Sequence, residues 1–290
     1  MLETNSEEQP ETNAQVLTVE QAIANLQHED LSLRYYAAWW LGKFRVRDPA
    51  AVDALIAALE DEAHRIALGG YPLRRNAARA LGKLGDQRAV PGLIRCLDCS
   101  DYYVREAAAQ SLEMLGNPAA VPALIQLLEG GVAAAQQVPG RPHLAQPYEA
   151  VLEALGSLQA RVAVPLIQPF LDHPIARVKY AALRAMYQLT EDDTYGQRLV
   201  QALEEGDMKL RRVVLLDLGA IGYLPAAESI AQCSVENSFK LIALKGLLEH
   251  GIEEVKLRSA VARGPLFVDP RSSHLPDTAI QVMNLMDSLL

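Results

Sequence analysis

Arg34-Tyr-Tyr-Ala-Ala-Trp-Trp-Leu-Gly42 recurs, with drift, as Arg74-Arg-Asn-Ala-Ala-Arg-Ala-Leu-Gly82 and as Arg105-Glu-Ala-Ala-Ala-Gln-Ser-Leu112. Looser copies begin at Arg177 and Arg211. Each copy is followed by a second apolar stretch: Val52, Leu55, Ile56, Leu59, then Val90, Leu93, Ile94, Leu97, then Val121, Leu124, Ile125, Leu128. Spacings of i, i+3, i+4 and i+7 put each set on one stripe of a helix. Pro91, Pro122 and Pro165 fall in first turns, where a missing N–H costs little. Two short amphipathic helices repeating every ~30 to 40 residues define a helical solenoid, in which each unit buries its stripe only against its neighbours. The paired alanines let those neighbours approach closely. The expected fold is all-α: a right-handed α-solenoid of helical hairpins with about six full repeats. They begin near 30, 70, 101, 145, 173 and 207, with a degenerate seventh near 235 and capping helices.

Composition agrees. Half of the 290 residues are apolar but only 6% are aromatic, a balance suited to stacked helices. A net charge of −9 repels a phosphate backbone, so no nucleic-acid partner is expected. Residues 1–17 are acidic and read as a disordered N-terminus without a basic start or apolar signal core; no stretch is long enough to span a membrane, so a cytoplasmic location is expected. The array runs over 18–264, and 265–290 form a linker and a C-terminal capping helix whose apolar stripe is Ile280, Met283, Met286 and Leu290. Cys96, Cys99 and Cys233 are too few for a disulfide framework. Cys96-x-x-Cys99 has no second pair, so it reads as packing, and no metal site is expected.

Two insertions interrupt the array, 63–72 and 130–147, both between a second helix and the next first helix. They should emerge on one edge, and an insertion in a regular array points to function. Asp30, Asp101 and Asp207 each precede an arginine by four residues, which suits N-caps and inter-unit links. Both tryptophans, Trp39 and Trp40, sit beside Tyr35 and Tyr36, with i, i+4 pairing of Tyr35 with Trp39 and of Tyr36 with Trp40; Tyr102 and Tyr103 occupy a nearby position of the third unit. Bulky rings beside an alanine pair serve either as core packing or as a flat wall for a planar ligand. Around them lie Tyr71, Arg74, Arg75, Arg79 and the loop carrying Arg141, His143, Tyr148 and Glu149. Arginines bind carboxylates in bidentate fashion, and a histidine titrates near neutral pH. These residues alone are equally consistent with a pure binding scaffold.

The segments 35–44 (YYAAWWLGKF), 71–86 (YPLRRNAARALGKLGD), 101–116 (DYYVREAAAQSLEMLG) and 139–156 (PGRPHLAQPYEAVLEALG) resemble one family over about 20–260. It is the E-type subunits of the cyanobacterial E/F bilin lyases, a HEAT-like repeat family. The resemblance implies a heterodimer with an F-type subunit that joins phycocyanobilin, an open-chain tetrapyrrole, through a thioether to a cysteine of apo-phycocyanin α. The thiol adds to the ring-A ethylidene group, and the reaction runs in both directions. Phycocyanobilin is then a substrate, with no tightly bound cofactor. A lyase-isomerase acting on phycoerythrocyanin and a non-catalytic HEAT-repeat scaffold remain alternatives. Within this resemblance, Arg74, Arg75, Arg79 and Arg141 are candidates for the bilin propionates. Tyr35, Trp39, Trp40, Tyr71, Tyr102 and Tyr103 are candidates for its conjugated body. Asp101, Glu106 or Glu149 would face the pyrrole nitrogens, and His143 or Tyr148 would raise the thiolate fraction of the acceptor cysteine.

Overall fold

The computed structural model describes residues 17–67, 69–263 and 277–290. The expected acidic segment 1–17 lies, but for its last residue, outside the described residues, as do residues 265–276 of the expected linker and capping helix. After α1 (Val19–Asn25) the chain forms hairpins: α2 (Leu31–Lys43) with α3 (Pro49–Ala58), α4 (Pro72–Leu84) with α5 (Val90–Cys96), and α6 (Tyr102–Leu115) with α7 (Val121–Gln126). A single-turn α8 (Gly131–Ala134) lies in the second insertion. The fourth to sixth hairpins pair α9 (Tyr148–Ser157) with α10 (Val164–Ile167), α11 (Ala176–Thr190) with α12 (Asp193–Glu205), and α13 (Met208–Ala220) with α14 (Ala227–Gln232). The degenerate seventh unit is one long helix, α15 (Asn237–Arg263), against which α16 (Asp277–Leu289) packs. The array is thus an all-helical solenoid of two layers, first helices α2, α4, α6, α9, α11, α13 and α15 stacked side by side and second helices behind them.

The repeat's small residues set that stacking. A Cβ added at Gly42 would lie 2.8 Å from the Cα of Ala80, and one at Gly156 2.7 Å from the Cα of Ala185. Gly219 meets Ala243 at 2.8 Å in the same way, so the Leu-Gly of the motif marks backbone contact between consecutive first helices. Gly156 answers to Gly42 and Gly82, which sets the fourth unit's register at Tyr148 rather than at the expected 145. Between the layers, the leucines of the second-helix stripes are buried: Leu55, Leu93 and Leu124 are wholly inaccessible. Emptying one such position to alanine costs about 2–5 kcal/mol.

Helix starts follow local chemistry. Asp30, Asp101 and Asp207 cap α2, α6 and α13 by accepting backbone N–H groups, as their spacing suggested. The arginines four residues on turn away from their own aspartates. Arg34 donates to the Leu26 carbonyl and pairs with Asp61, and Arg105 donates to the carbonyls of Cys99 (2.6 Å) and Ala145 (2.8 Å). They therefore fasten the chain segments on either side of their helix. The last helix corrects the sequence reading: α16 buries Ala279 and Val282, while Ile280, Met283 and Leu290 of the expected stripe face solvent. It also holds the Asn237 amide, which donates to the Leu289 carbonyl at 2.7 Å.

Candidate functional site

Both insertions return to the N-terminal ends of the first helices, and each lays a histidine on a tyrosine there. In the first, the His64 amide donates to Asp61 (2.8 Å), and the ring meets Tyr35 of α2 edge-on at 6.5 Å. The second is an ordered hairpin rather than a structureless loop. Val138 donates to the His143 carbonyl (3.0 Å) and Ala145 to that of Gln136 (3.2 Å), giving a bridge between Gln137 and Leu144. Arg105 and His173 pin its two arms at Ala145 (2.8 Å) and Ala135 (3.1 Å). Its tip brings His143 flat onto Tyr102, with centroids 4.3 Å apart, and edge-on to Tyr103 at 5.7 Å. The His143 Nδ1–H donates to the Leu144 carbonyl at 2.8 Å, which leaves Nε2 outside that bond.

The structure divides the residues expected from sequence into open and committed groups. Tyr103 is 37% and Tyr35 36% exposed, and the Arg75 guanidinium lies 5.8 Å from the Tyr103 ring centre with its Nε lacking a protein partner. Arg79, 43% exposed, faces Glu106 at 4.0 Å, and Arg141 is exposed at the hairpin tip. Trp39 is 43% exposed, so the rings are not entombed; the pairs formed, however, are Tyr36 with Trp39 and Trp40 with Phe44, not the i, i+4 pairs expected.

Other candidates are used by the fold. Tyr148 is 1% exposed against Phe170, so it cannot meet an acceptor thiol, and burial pushes its phenol up. Tyr71 is buried beneath Arg65 and Arg74 and offers no wall to a ligand. Arg74 itself is engaged by Glu62 and by the Asp61 carbonyl (2.7 Å). The Asp101 oxygens accept the Tyr103 N–H (2.9 Å) and the Tyr71 N–H (2.7 Å), tying α6 to the start of α4. Glu149 pairs with Arg177 at 2.6 Å.

Burial sets the electrostatics of this edge. It pushes the Tyr102 phenol well up, with the Glu106 and Glu149 charges adding, so Tyr102 stays a hydrogen-bond donor. Burial also raises Glu106 against the opposing pull of Arg79. The Cys96 thiol is pushed up to about 12 by burial, which removes it as a nucleophile. Sequence reading missed one group altogether. Arg184 of α11 gathers Glu113 (2.6 Å), Glu153 (3.6 Å) and Asp217 (3.5 Å) from α6, α9 and α13. The available signal was Asp217 inside the apolar run Val213-Val-Leu-Leu-Asp-Leu218. Among the described residues no group of three or more His, Cys, Asp or Glu is placed to hold a metal, and no helix is long and apolar enough to cross a membrane.

Stacked two-helix hairpins in two layers define a HEAT-like repeat protein, here with two insertions between its units. HEAT repeats match residues 71–137, and the PBS lyase HEAT-like repeat matches residues 33–61. The chain is 66% identical to the phycocyanobilin lyase subunit alpha of Nostoc sp. (strain PCC 7120) over the whole of both chains. It is 46% identical to the bilin biosynthesis protein PecE of the same strain, covering 81% of this chain and 87% of that one. In the solved complex of CpcE and CpcF of phycocyanin lyase from Nostoc sp. PCC7120, a chain 66% identical to this one matches with a TM-score of 0.85, covering 99% of this chain and 100% of that one. The chain belongs to the family of phycocyanobilin lyase alpha subunits.

Proposed function

We propose that this chain is the E-type half of a heterodimeric lyase that joins phycocyanobilin through a thioether to a cysteine of apo-phycocyanin α, in the cytoplasm and with an F-type subunit as partner. One observation in the chain itself carries the reading: the second insertion holds His143 on Tyr102 and Tyr103 beside the half-buried Arg75, whose Nε has no protein partner. Phycocyanobilin is the substrate, and the reading requires no resident cofactor.

The roles follow from chemistry. Arg75, Arg79 and Arg141 receive the propionates, which N-terminal helix ends also favour. Tyr35, Trp39 and the Tyr102–Tyr103–His143 group offer ring faces and edges to the conjugated body. His143 Nε2 accepts a proton from the incoming thiol, and Tyr102 donates to a ligand oxygen or nitrogen. The nucleophilic sulfur belongs to the acceptor, consistent with the buried thiols of Cys96 and Cys233. Holding the bilin extended against one wall fixes the face that the thiol attacks. The isomerising alternative is less well supported, since identity to PecE is 46% against 66% to the phycocyanobilin lyase subunit.

The test is co-production with the F-type subunit, phycocyanobilin and apo-phycocyanin α, scored by covalent fluorescence after denaturation. Covalent product with unshifted double bonds supports the reading; a violet-shifted product indicates the isomerase, and no covalent product leaves a scaffold.

A further inference from the structure

We propose that the carboxylates gathered by Arg184 seat the pyrrole nitrogens of the linear tetrapyrrole in its protonated, cationic form, with Glu153 the side chain that touches them. This rests on the bilin-lyase reading above and adds to it the site of the chromophore's own charge.

The cluster is out of balance. Three carboxylates surround a single guanidinium, and of the three only Glu113 is within close hydrogen-bond range of it, at 2.6 Å. Glu113 also accepts from the Ser157 hydroxyl at 2.8 Å. Asp217 is 3% exposed, yet its Oδ2 has no hydrogen-bond partner, and Nε of Arg184 has none either. Sequestering such charges is costly, and removal of one partner leaves the rest unpaired. The stacking does not need them: the α2–α4 contact is made by Gly42 against Ala80 with no such group. The cluster joins α6, α9, α11 and α13, and the carboxylate oxygen it leaves without a partner, Asp217 Oδ2, marks a place for a second cation.

Position selects which cation. On α6, Tyr102, Glu106 and Glu113 rise along the helix, and on α9 Glu149 and Glu153 rise beside them. Tyr102 and Glu113 are separated by about 16 Å at a rise of ~1.5 Å per residue, the scale of a four-ring chromophore. The charges along this path interact: Glu149 acts on both Glu153 and Asp217, and Glu106 and Glu149 act on Tyr102. A bilin whose propionates lie at the arginine edge and whose body leans on Tyr102 and Tyr103 therefore runs its nitrogens toward Glu153. Side-chain exposures of 17% for Glu153 and 19% for Glu113 leave both reachable, with Asp217 behind them.

The charge bears on the reaction. Thiol addition forms the S–C bond at the exocyclic ethylidene carbon and breaks the C=C π bond. Its electron pair passes into the conjugated system and ends in a new C–H bond at the ring carbon. The proton lost by the thiol balances the one gained there, so no oxidant or reductant is needed. A protonated tetrapyrrole is the better electrophile, and carboxylates facing its N–H groups keep it protonated. Burial raises Glu153 and Asp217 against the pull of Arg184, and a cation on their free side would draw both back down. The charged and titratable groups around Glu153 are Glu149 on its own helix, Glu106 and Glu113 on α6, Arg177 and Arg184 on α11, and Asp217 on α13.

The test uses the heterodimer with its F-type partner, wild type against Glu153→Gln, with Asp217→Asn as a second variant. Phycocyanobilin is bound without acceptor, and its long-wavelength protonated band is titrated with pH; transfer to apo-phycocyanin α is then timed. The expected result is a band that persists to higher pH in the wild type than in either variant, with kcat reduced ~10-fold or more and KM for the bilin little changed. Unchanged titration and kcat in folded Glu153→Gln heterodimer overturn the proposal. So does loss of heterodimer with intact helicity, which would assign the cluster to a basic side chain of the partner. A wild-type heterodimer that transfers no bilin defeats the underlying lyase reading instead, and is told apart because no variant is involved.

Discussion

Gly156 has no side chain because the Cα of Ala185 stands 2.7 Å from where its Cβ would be, and a backbone atom cannot swing aside. Gly156→Ala should therefore cost about 1–3 kcal/mol, read as a lower urea midpoint at unchanged m-value; an unshifted midpoint would mean that the two helices separate freely. Arg75 is the opposite kind of residue. Its guanidinium lies over Tyr103 and its buried Nε bonds no protein atom, so no hydrogen bond through that nitrogen is lost with it. Arg75→Ala should leave the melting temperature within the scatter of surface substitutions while weakening bilin binding by about 1.5–3 kcal/mol, the worth of a charge-assisted contact. A spectral titration of phycocyanobilin against the heterodimer measures it, and a parallel loss of folding and binding would return Arg75 to packing. Residue type in sequence made Arg75, Arg79 and the ring residues legible as candidates. It could not separate them from Tyr71, Tyr148 and Arg74, which have the same chemistry but are buried or already bonded.

At the scale of elements, the hairpins were legible because each second helix carries one apolar stripe, and the insertions because they break a regular period. What the insertions do was not legible. The second becomes an ordered hairpin through long-range ties, Arg105 to the Ala145 carbonyl and His173 to that of Ala135, and no local pattern announces such partners. Arg105→Met should thus loosen the hairpin without melting α6. Amide exchange at Val138 and Ala145, which donate across the hairpin, is expected to quicken while α6 interior amides stay protected, and transfer activity should fall with it. Retained protection at Val138 together with lost activity would give Arg105 a direct role in binding. α16 was misread for a different reason. Ala279 and Val282 on one side and Ile280 and Met283 on the other are both apolar, so periodicity alone could not choose the face that α14 and α15 cover.

Across the whole molecule the acidic groups divide by depth. Asp86, Asp192 and Glu236 are solvent-facing and held below their ordinary values, by Arg88, by Thr194 and by Arg212 respectively. Asp217 is buried, Glu153 and Glu106 are half-buried, and desolvation holds all three above theirs. The two groups bend stability in opposite directions. A depressed carboxylate binds fewer protons folded than unfolded, so its contribution is present above the unfolded value near ~4 and is lost on acidification. A raised carboxylate binds more protons folded than unfolded. Its slope with pH is negative, so stability falls as pH rises from ~4 through the raised folded value. The raised set lies where solvent screening is weak, and the depressed set is fully wet, so the buried set should dominate above ~pH 5. The melting temperature is expected to decline from mildly acidic toward alkaline pH, and Glu153→Gln, which cannot ionise, should flatten that decline. Calorimetry of the chain at constant ionic strength checks it. A rising limb over the same range, or a slope identical in Glu153→Gln, would show that Arg184 already holds all three carboxylates ionised. The cluster would then be a closed ion network with no unfilled place for a cation.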